Sequence, residues 1–157
     1  MTHLITCLRF VALVLALNII RYLIGGLVEG PLIFPALFGV MEENATYFNS
    51  DFQTIDWVTS YLYNFAMWAI VVWIYYIARP VLSGSEIVRS LKIFGIAFLF
   101  FASVSFIYMN HYSHSKDFYL INVADALLMF LLVGLANGLL YPLLMPKGRT
   151  PGHVQAE

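Results

Sequence analysis

Two ionisable side chains, Arg21 and Asp125, lie within long apolar stretches of this sequence. Ionisable groups at membrane depth are costly, and they usually face the interior of a helix bundle or a water-filled cavity. A guanidinium there can hold an anionic ligand, and a carboxylate can exchange a proton or a cation. These two residues are therefore the first candidates for chemistry if the stretches around them are membrane helices.

The composition indicates that the solvent of this chain is the lipid bilayer. Hydrophobic residues make up 61% of its 157 residues and charged residues only 11%, and the mean hydropathy is positive. The 8 Lys and Arg residues are scattered along the chain, so no basic face for nucleic acid is expected. A single cysteine, Cys7, cannot form an internal disulfide, which argues against thiol-relay chemistry.

Four apolar segments are each long enough for the roughly 20 residues that cross a hydrocarbon core. They lie at about residues 4–25, 57–78, 93–110 and 118–141. We therefore predict an all-α membrane protein, with four transmembrane helices in one bundle that occupies residues 1–145. Residues 146–157 are predicted to form a disordered cytoplasmic tail. We find no internal repeat and no second domain.

The distribution of charges predicts that both termini are cytoplasmic, because basic residues concentrate on the cytoplasmic side of membrane proteins. With four spans, one side receives Arg9, Arg79, Arg89, Lys92, Lys147 and Arg149. The other side receives Glu29, Glu42, Glu43, Asp51, Asp56 and Asp117, with Lys116 as its main basic residue. The predicted compartment is a bacterial inner membrane, crossed several times.

The stretch at residues 30–39, after the first predicted helix, is too short to span the membrane. It contains Pro31 and Pro35, which lack backbone donors. We predict a short interfacial segment at the outer surface or a re-entrant segment. A re-entrant backbone would have to be covered by protein or water, because lipid cannot satisfy exposed amides.

Arg21 and Asp125 arrive at a common depth when residues are counted along the helices. If Arg9 marks the inner boundary, Arg21 lies about 12 Å below the outer edge. If Phe118 marks the outer boundary, Asp125 lies about 10 Å below it. The predicted polar cluster in this outer half comprises Asn18, Arg21, Asn64, Asn110, Asn122 and Asp125. Residues that could line a pocket beside it are Tyr22, Trp68 and His111.

This cluster has two interpretations that the sequence leaves open. In the structural one, an ion pair between helices and amide hydrogen bonds set the helix register, each contact contributing about 1 kcal/mol. In the functional one, a polar pocket opens to the outer side, where Arg21 holds an anion or Asp125 exchanges a proton or cation.

Gly134 and Gly138 form a pair of small residues one helical turn apart, which permits close approach of another helix. They lie nearly opposite Asp125 on the fourth predicted helix. That helix is therefore predicted to make contacts on two faces. The glycine face would meet another helix of this chain or, by a slight preference, a partner subunit or second copy.

No motif for a cofactor or a catalytic centre is present. The four histidines lie at or beyond the helix ends, so paired haem ligands inside the membrane are absent. His111, His114 and Asp117 give only a weak metal signal, and neither a metal nor another cofactor is predicted. A Walker loop, a Gly-x-Ser-x-Gly elbow and a His-Glu-x-x-His motif are all missing.

The predicted function is therefore a non-enzymatic accessory or assembly subunit of a larger inner-membrane complex. Its expected partners are other membrane subunits or copies of itself, and not nucleic acid. One alternative is a small oligomeric transporter or channel that uses the polar pocket. Another is a membrane enzyme acting on lipid or quinone, with Asp125 or His111 in proton transfer.

Overall fold

The computed structural model of the chain describes residues 2–48, 51, 53–113 and 115–145. Within these residues there are five α-helices and no strand. The helices are α1 (Thr2–Leu32), α2 (Phe34–Glu43), α3 (Thr54–Ala78), α4 (Glu86–His111) and α5 (Lys116–Leu144). Helices α1, α3, α4 and α5 are long and apolar enough to cross a membrane, which indicates a multi-pass membrane protein. The predicted disordered tail at residues 146–157 lies outside the described residues.

Helix α1 extends further than predicted. It continues through Gly25 and Gly26 to Leu32, so Glu29 lies inside the helix and is buried. The first span was predicted to end at about residue 25, seven residues before the end of α1. The charge of Glu29 is accommodated within the helix because it is paired with Arg21 of the same helix.

Helices α1 and α2 are separated only by Ile33. Its N–H bonds to the Glu29 carbonyl at 2.8 Å, and its own carbonyl accepts from Leu37 at 2.9 Å. The interruption falls between Pro31 and Pro35, each of which removes a backbone donor. The segment predicted at residues 30–39 is thus helical on both sides of Ile33. Helix α2 is apolar and buries none of its residues, which agrees with an interfacial position, although that position stays a prediction.

The bundle has two distinct ends. At one end, the start of α1 meets the ends of α3 and α5 around a cleft of about 260 Å³, lined by residues that include Cys7, Trp73 and Met145. We call this the terminal end. At the other end, Phe48 after α2 packs against Phe118 at the start of α5, with ring centroids 4.8 Å apart. We call this the α2 end.

Helices α4 and α5 form the closest pair in the bundle. A Cβ on Gly134 would lie 3.0 Å from Phe94 Cβ, and one on Gly138 would lie 2.6 Å from Ile87 Cα, so α4 reaches the backbone of α5 at both glycines. The pair also shares buried hydrogen bonds. Asn137 Nδ2 donates to Ser90 Oγ at 2.9 Å, and the Ser90 hydroxyl donates to the Gly134 carbonyl at 2.7 Å. The glycine face of α5 is therefore covered by α4 of the same chain.

Candidate functional site

Arg21 forms a bidentate ion pair with Glu29 along α1. Its Nη1 donates to Glu29 Oε2 at 2.9 Å, and its Nη2 donates to Oε1 at 2.8 Å. The Glu29 side chain is 1% exposed and the Arg21 side chain 19%. The two residues are separated by 8 positions, which corresponds to about 12 Å of helix rise. The Arg21 side chain must therefore extend along the helix towards the α2 end, as long cationic side chains do in membranes.

Gly25 provides the space through which this ion pair runs. It lies between Arg21 and Glu29 on nearly the same helix face, because residues four apart are neighbours on an α-helix. A Cβ at Gly25 would lie 3.1 Å from Arg21 Nη1, 3.1 Å from Glu29 Oε2 and 3.0 Å from Met129 Sδ of α5. The missing side chain thus admits both the ion pair and the close approach of α5.

Asp125 of α5 lies beside the ion pair. Its carboxyl group interacts with the Glu29 carboxyl group and, over a longer distance, with the Arg21 guanidinium. The half-buried Asp125 side chain has one buried oxygen, Oδ1, that accepts no hydrogen bond within the described part of the chain. The structure therefore brings Arg21 and Asp125 together, as the sequence predicted, but the carboxylate bound by Arg21 is Glu29.

We call Arg21, Glu29 and Asp125 the charged cluster. It contains one guanidinium and two carboxylates, so with all three groups ionised it carries one uncompensated negative charge. Such a charge is costly away from water, and adjacent carboxylates reduce the cost by sharing a proton or by holding a cation. The described residues contain no group of three or more His, Cys, Asp or Glu side chains arranged to hold a metal ion.

Two tyrosines form an aromatic wall on one side of the charged cluster. The Arg21 guanidinium carbon lies 5.1 Å from the ring centroid of Tyr22. Tyr22 in turn stacks on Tyr61 of α3, with ring centroids 5.4 Å apart. Both tyrosines are exposed, so this side of the cluster faces the exterior of the bundle. Tyr22 was predicted to line the site, whereas Tyr61 was not.

The predicted asparagines bond mainly within their own helices. Asn18, Asn64 and Asn122 each donate to a carbonyl one turn earlier, at 3.1, 3.1 and 2.8 Å. Asn18 is fully buried, and its Oδ1 has no hydrogen-bond partner within the described residues. Asn110 and His111 are exposed at the end of α4. No contact described for the charged cluster involves either of them, and His114 lies outside the described residues.

Trp68 lies in the core of the bundle. It is 1% exposed, and its ring stacks on Phe94 of α4 at 6.0 Å and meets the edge of Phe130 of α5 at 5.1 Å. It therefore joins three helices by aromatic packing. The structure describes no contact between Trp68 and the charged cluster.

Sequence reasoning missed Gly25 and Glu29 as parts of this site. The signal that could have found them is the spacing Arg21, Gly25, Glu29, which places opposite charges two turns apart with a small residue between them. It also missed the buried Ser90 and Asn137, which hold α4 to α5. Both residues lie nearer the terminal end, outside the outer-half layer in which the polar cluster was predicted.

A leucine at position 25 is expected to displace the ion pair and to separate α1 from α5. Overpacking of this kind costs about 1–3 kcal/mol, so Gly25→Leu should unfold at a lower denaturant concentration than the parent. Gly26→Leu is the matched control, because a Cβ at Gly26 meets nothing within 4 Å. Unfolding in mixed micelles, followed by circular dichroism, measures the difference. Equal losses in the two variants would contradict the role assigned to Gly25.

Comparison of the chain with protein-family models, with curated proteins and with solved structures finds no match.

Proposed function

We propose that this chain is a small membrane transporter or channel, or a subunit of one, that takes up a proton or a small cation at Asp125. The observation that carries the proposal is that the charged cluster has two carboxylates and only one guanidinium. Arg21 uses both ends of its guanidinium fork on Glu29, and Asp125 lies beside them with a buried oxygen that accepts no described hydrogen bond. A proton or cation on Asp125 would remove the excess negative charge.

The division of roles within the cluster supports exchange at Asp125 and not at Glu29. Glu29 is almost completely buried and holds two charge-assisted hydrogen bonds, so it is fixed by its partner. Asp125 is only half-buried, and the exposed Tyr22 and Tyr61 lie on the same side as Arg21. The partial exposure of Asp125 favours exchange with the surroundings, whereas Glu29 is buried.

Uptake and release at Asp125 would change the contact between α1 and α5. A protonated Asp125 can donate a hydrogen bond to the Glu29 carboxylate, which joins the two helices. A deprotonated Asp125 competes with Glu29 for Arg21, whose guanidinium has five N–H donors. The hydrogen bonds between α1 and α5 therefore depend on whether Asp125 holds a proton or a cation. Coupling of ion binding to helix movement requires such a dependence.

The orientation of the chain in the membrane is part of the same proposal. Arg9, Arg79, Arg89 and Lys92 lie towards the terminal end, whereas most acidic residues lie towards the α2 end. By the positive-inside rule this supports cytoplasmic termini, with the charged cluster opening to the outer side of a bacterial inner membrane. Asp125 would then exchange its proton or cation with the outer compartment.

Flux into proteoliposomes tests the proposal. The purified chain is reconstituted with an internal dye that is sensitive to protons, to sodium or to potassium, and a gradient of the matching ion is applied in turn. We expect flux of one ion with the parent chain and background flux with Asp125→Asn. Asp117→Asn should retain flux, because Asp117 is an exposed residue in the first turn of α5. Background flux of all three ions with the folded parent chain would contradict a transport function of this chain alone.

An accessory or assembly subunit is the second candidate. Its sequence support was the glycine face of α5, and α4 of the same chain covers that face. The remaining support is the low burial of the spanning helices. In an 18-residue apolar stretch of each helix, only 22–28% is buried inside the chain. A mild-detergent pull-down of the tagged native protein with mass spectrometry tests it. A stoichiometric partner would favour this candidate, and a homo-oligomer without partners would contradict it.

A further inference from the structure

An apolar groove of about 800 Å³ runs along the bundle between α3 and α4. It exists because α4 packs closely along α5, whereas α3 touches α4 over a much shorter stretch. The lining residues are aliphatic or aromatic; they include Met67, Ile70, Ile74, Ile93, Ala97 and Phe100. On α4 the lining runs from Ile93 to Val104, which corresponds to about 16 Å of helix rise. This length is close to half of a hydrocarbon core about 30 Å thick, which is the depth of one leaflet.

Basic side chains flank this groove at the terminal end. Arg89 lies four positions before the lining residue Ile93, and Lys92 lies four positions before Ile96. Each basic residue is therefore on the same face of α4 as its lining residue, one turn closer to the terminal end. Arg89 Nη1 lies 3.6 Å from the Glu86 carboxylate, and its buried Nε has no hydrogen-bond partner within the described residues. Lys92 is exposed and donates to Ser83.

The acidic residue at the terminal end of the groove, Glu86, does not balance the positive charges of the basic residues there. Glu86 is already bound by Arg79, whose Nη2 and Nε donate at 2.6 and 2.9 Å, and by the Tyr75 hydroxyl at 2.7 Å. Arg79, Arg89 and Lys92 carry three positive charges and Glu86 one negative charge, which leaves two positive charges in excess. A positively charged mouth on an apolar groove is complementary to a molecule with an anionic head and a hydrocarbon chain.

We propose that this groove holds an acyl chain of an anionic phospholipid whose phosphate lies against Arg89 and Lys92. Basic sites between membrane helices bind anionic lipid headgroups, and the partly exposed Arg89 and the exposed Lys92 offer charged N–H donors to a phosphate. A helix is a poorer occupant, because close helix packing in membranes uses small residues and the groove is lined mainly by Ile, Met, Val and Phe. The site lies on α3 and α4 and is independent of the exchange proposed at Asp125.

Native mass spectrometry of the chain released from nanodiscs tests the headgroup contact. The nanodiscs contain equal amounts of phosphatidylglycerol and phosphatidylcholine with the same acyl chains. We expect the parent chain to retain phosphatidylglycerol preferentially. Arg89→Gln and Lys92→Gln should each weaken that preference about fivefold, and the double variant about 30-fold. Lys116→Gln, at the α2 end, removes a basic residue far from the groove and should leave the preference unchanged.

A second pair of variants tests the groove itself while leaving its basic residues intact. Ala97→Trp fills the groove and should abolish retention of the lipid, whereas Leu99→Trp places the same side chain at an exposed position outside the lining. Equal retention of the two lipids by the parent chain would overturn the proposal, as would a preference that survives in the double variant. A lipid-free dimer that Ala97→Trp dissociates would also overturn it and assign the groove to a second copy of the chain.

Discussion

Replacing Glu29 by leucine is expected to destabilise the bundle by about 3 kcal/mol, because Arg21 loses the acceptor of two charge-assisted hydrogen bonds. Asp125 remains as the opposite charge beside Arg21, but it forms no ion pair with Arg21 in the described structure. The double variant Arg21→Met with Glu29→Leu should recover most of the lost stability in acidic buffer, where Asp125 is neutral, since apolar residues can replace a buried pair at little cost.

The measurement for these variants is equilibrium unfolding in mixed micelles, followed by circular dichroism. Glu42→Leu is the control, because Glu42 is an exposed glutamate of α2. A loss in Glu29→Leu no larger than in this control would show that the ion pair contributes little. A double variant as unstable as Glu29→Leu alone would show that the effect comes from the leucine and not from the unpaired Arg21.

Replacing Gly138 by leucine is expected to have the second large effect, a loss of about 3 kcal/mol or more. A Cβ there would lie 2.6 Å from Ile87 Cα, and a backbone atom cannot move aside as a side-chain tip can. The variant must therefore separate α4 from α5 near the hydrogen bonds of Ser90 and Asn137.

Gly95→Leu is the matched control for Gly138→Leu. It also introduces leucine into a spanning helix, but a Cβ at Gly95 meets nothing within 4 Å. Thermal unfolding in detergent at several protein concentrations separates the two explanations for the glycine face. A lower midpoint at every concentration fits packing within one chain, whereas a loss that disappears on dilution would assign the face to contacts between copies.

The apolar segments predicted the spanning helices because a run of about 20 apolar residues has few stable alternatives in a membrane. The end of α1 was not predictable in this way. Gly25, Gly26 and Gly30 are unfavourable helix residues by type, and Glu29 is costly in an apolar environment. Two contacts stabilise this stretch: Arg21 pairs with Glu29 within α1, and α5 packs against Gly25. Such contacts cannot be read from composition.

The proximity of Arg21 and Asp125 was predictable from the sequence, but the bonding partner of Arg21 was not. Counting residues placed Arg21 near Asp125, because helix rise is nearly constant. It could not show that Arg21 extends two turns along its own helix to Glu29, since side-chain direction depends on which carboxylate lies nearer. The amides of Asn64 and Asn122 likewise found carbonyls in their own helices, which residue type alone does not decide.

Infrared difference spectroscopy of the reconstituted chain is the most direct measurement of exchange at Asp125. Spectra recorded in acidic and in neutral buffer isolate the carbonyl stretch of protonated carboxylic acids. If Asp125 exchanges a proton, a band should be present in the parent chain and in Asp117→Asn, and absent in Asp125→Asn. If Asp125 exchanges a cation instead, addition of that cation should shift carboxylate stretches in the parent chain and not in Asp125→Asn. A difference spectrum that Asp125→Asn leaves unchanged under all these conditions would contradict exchange at Asp125.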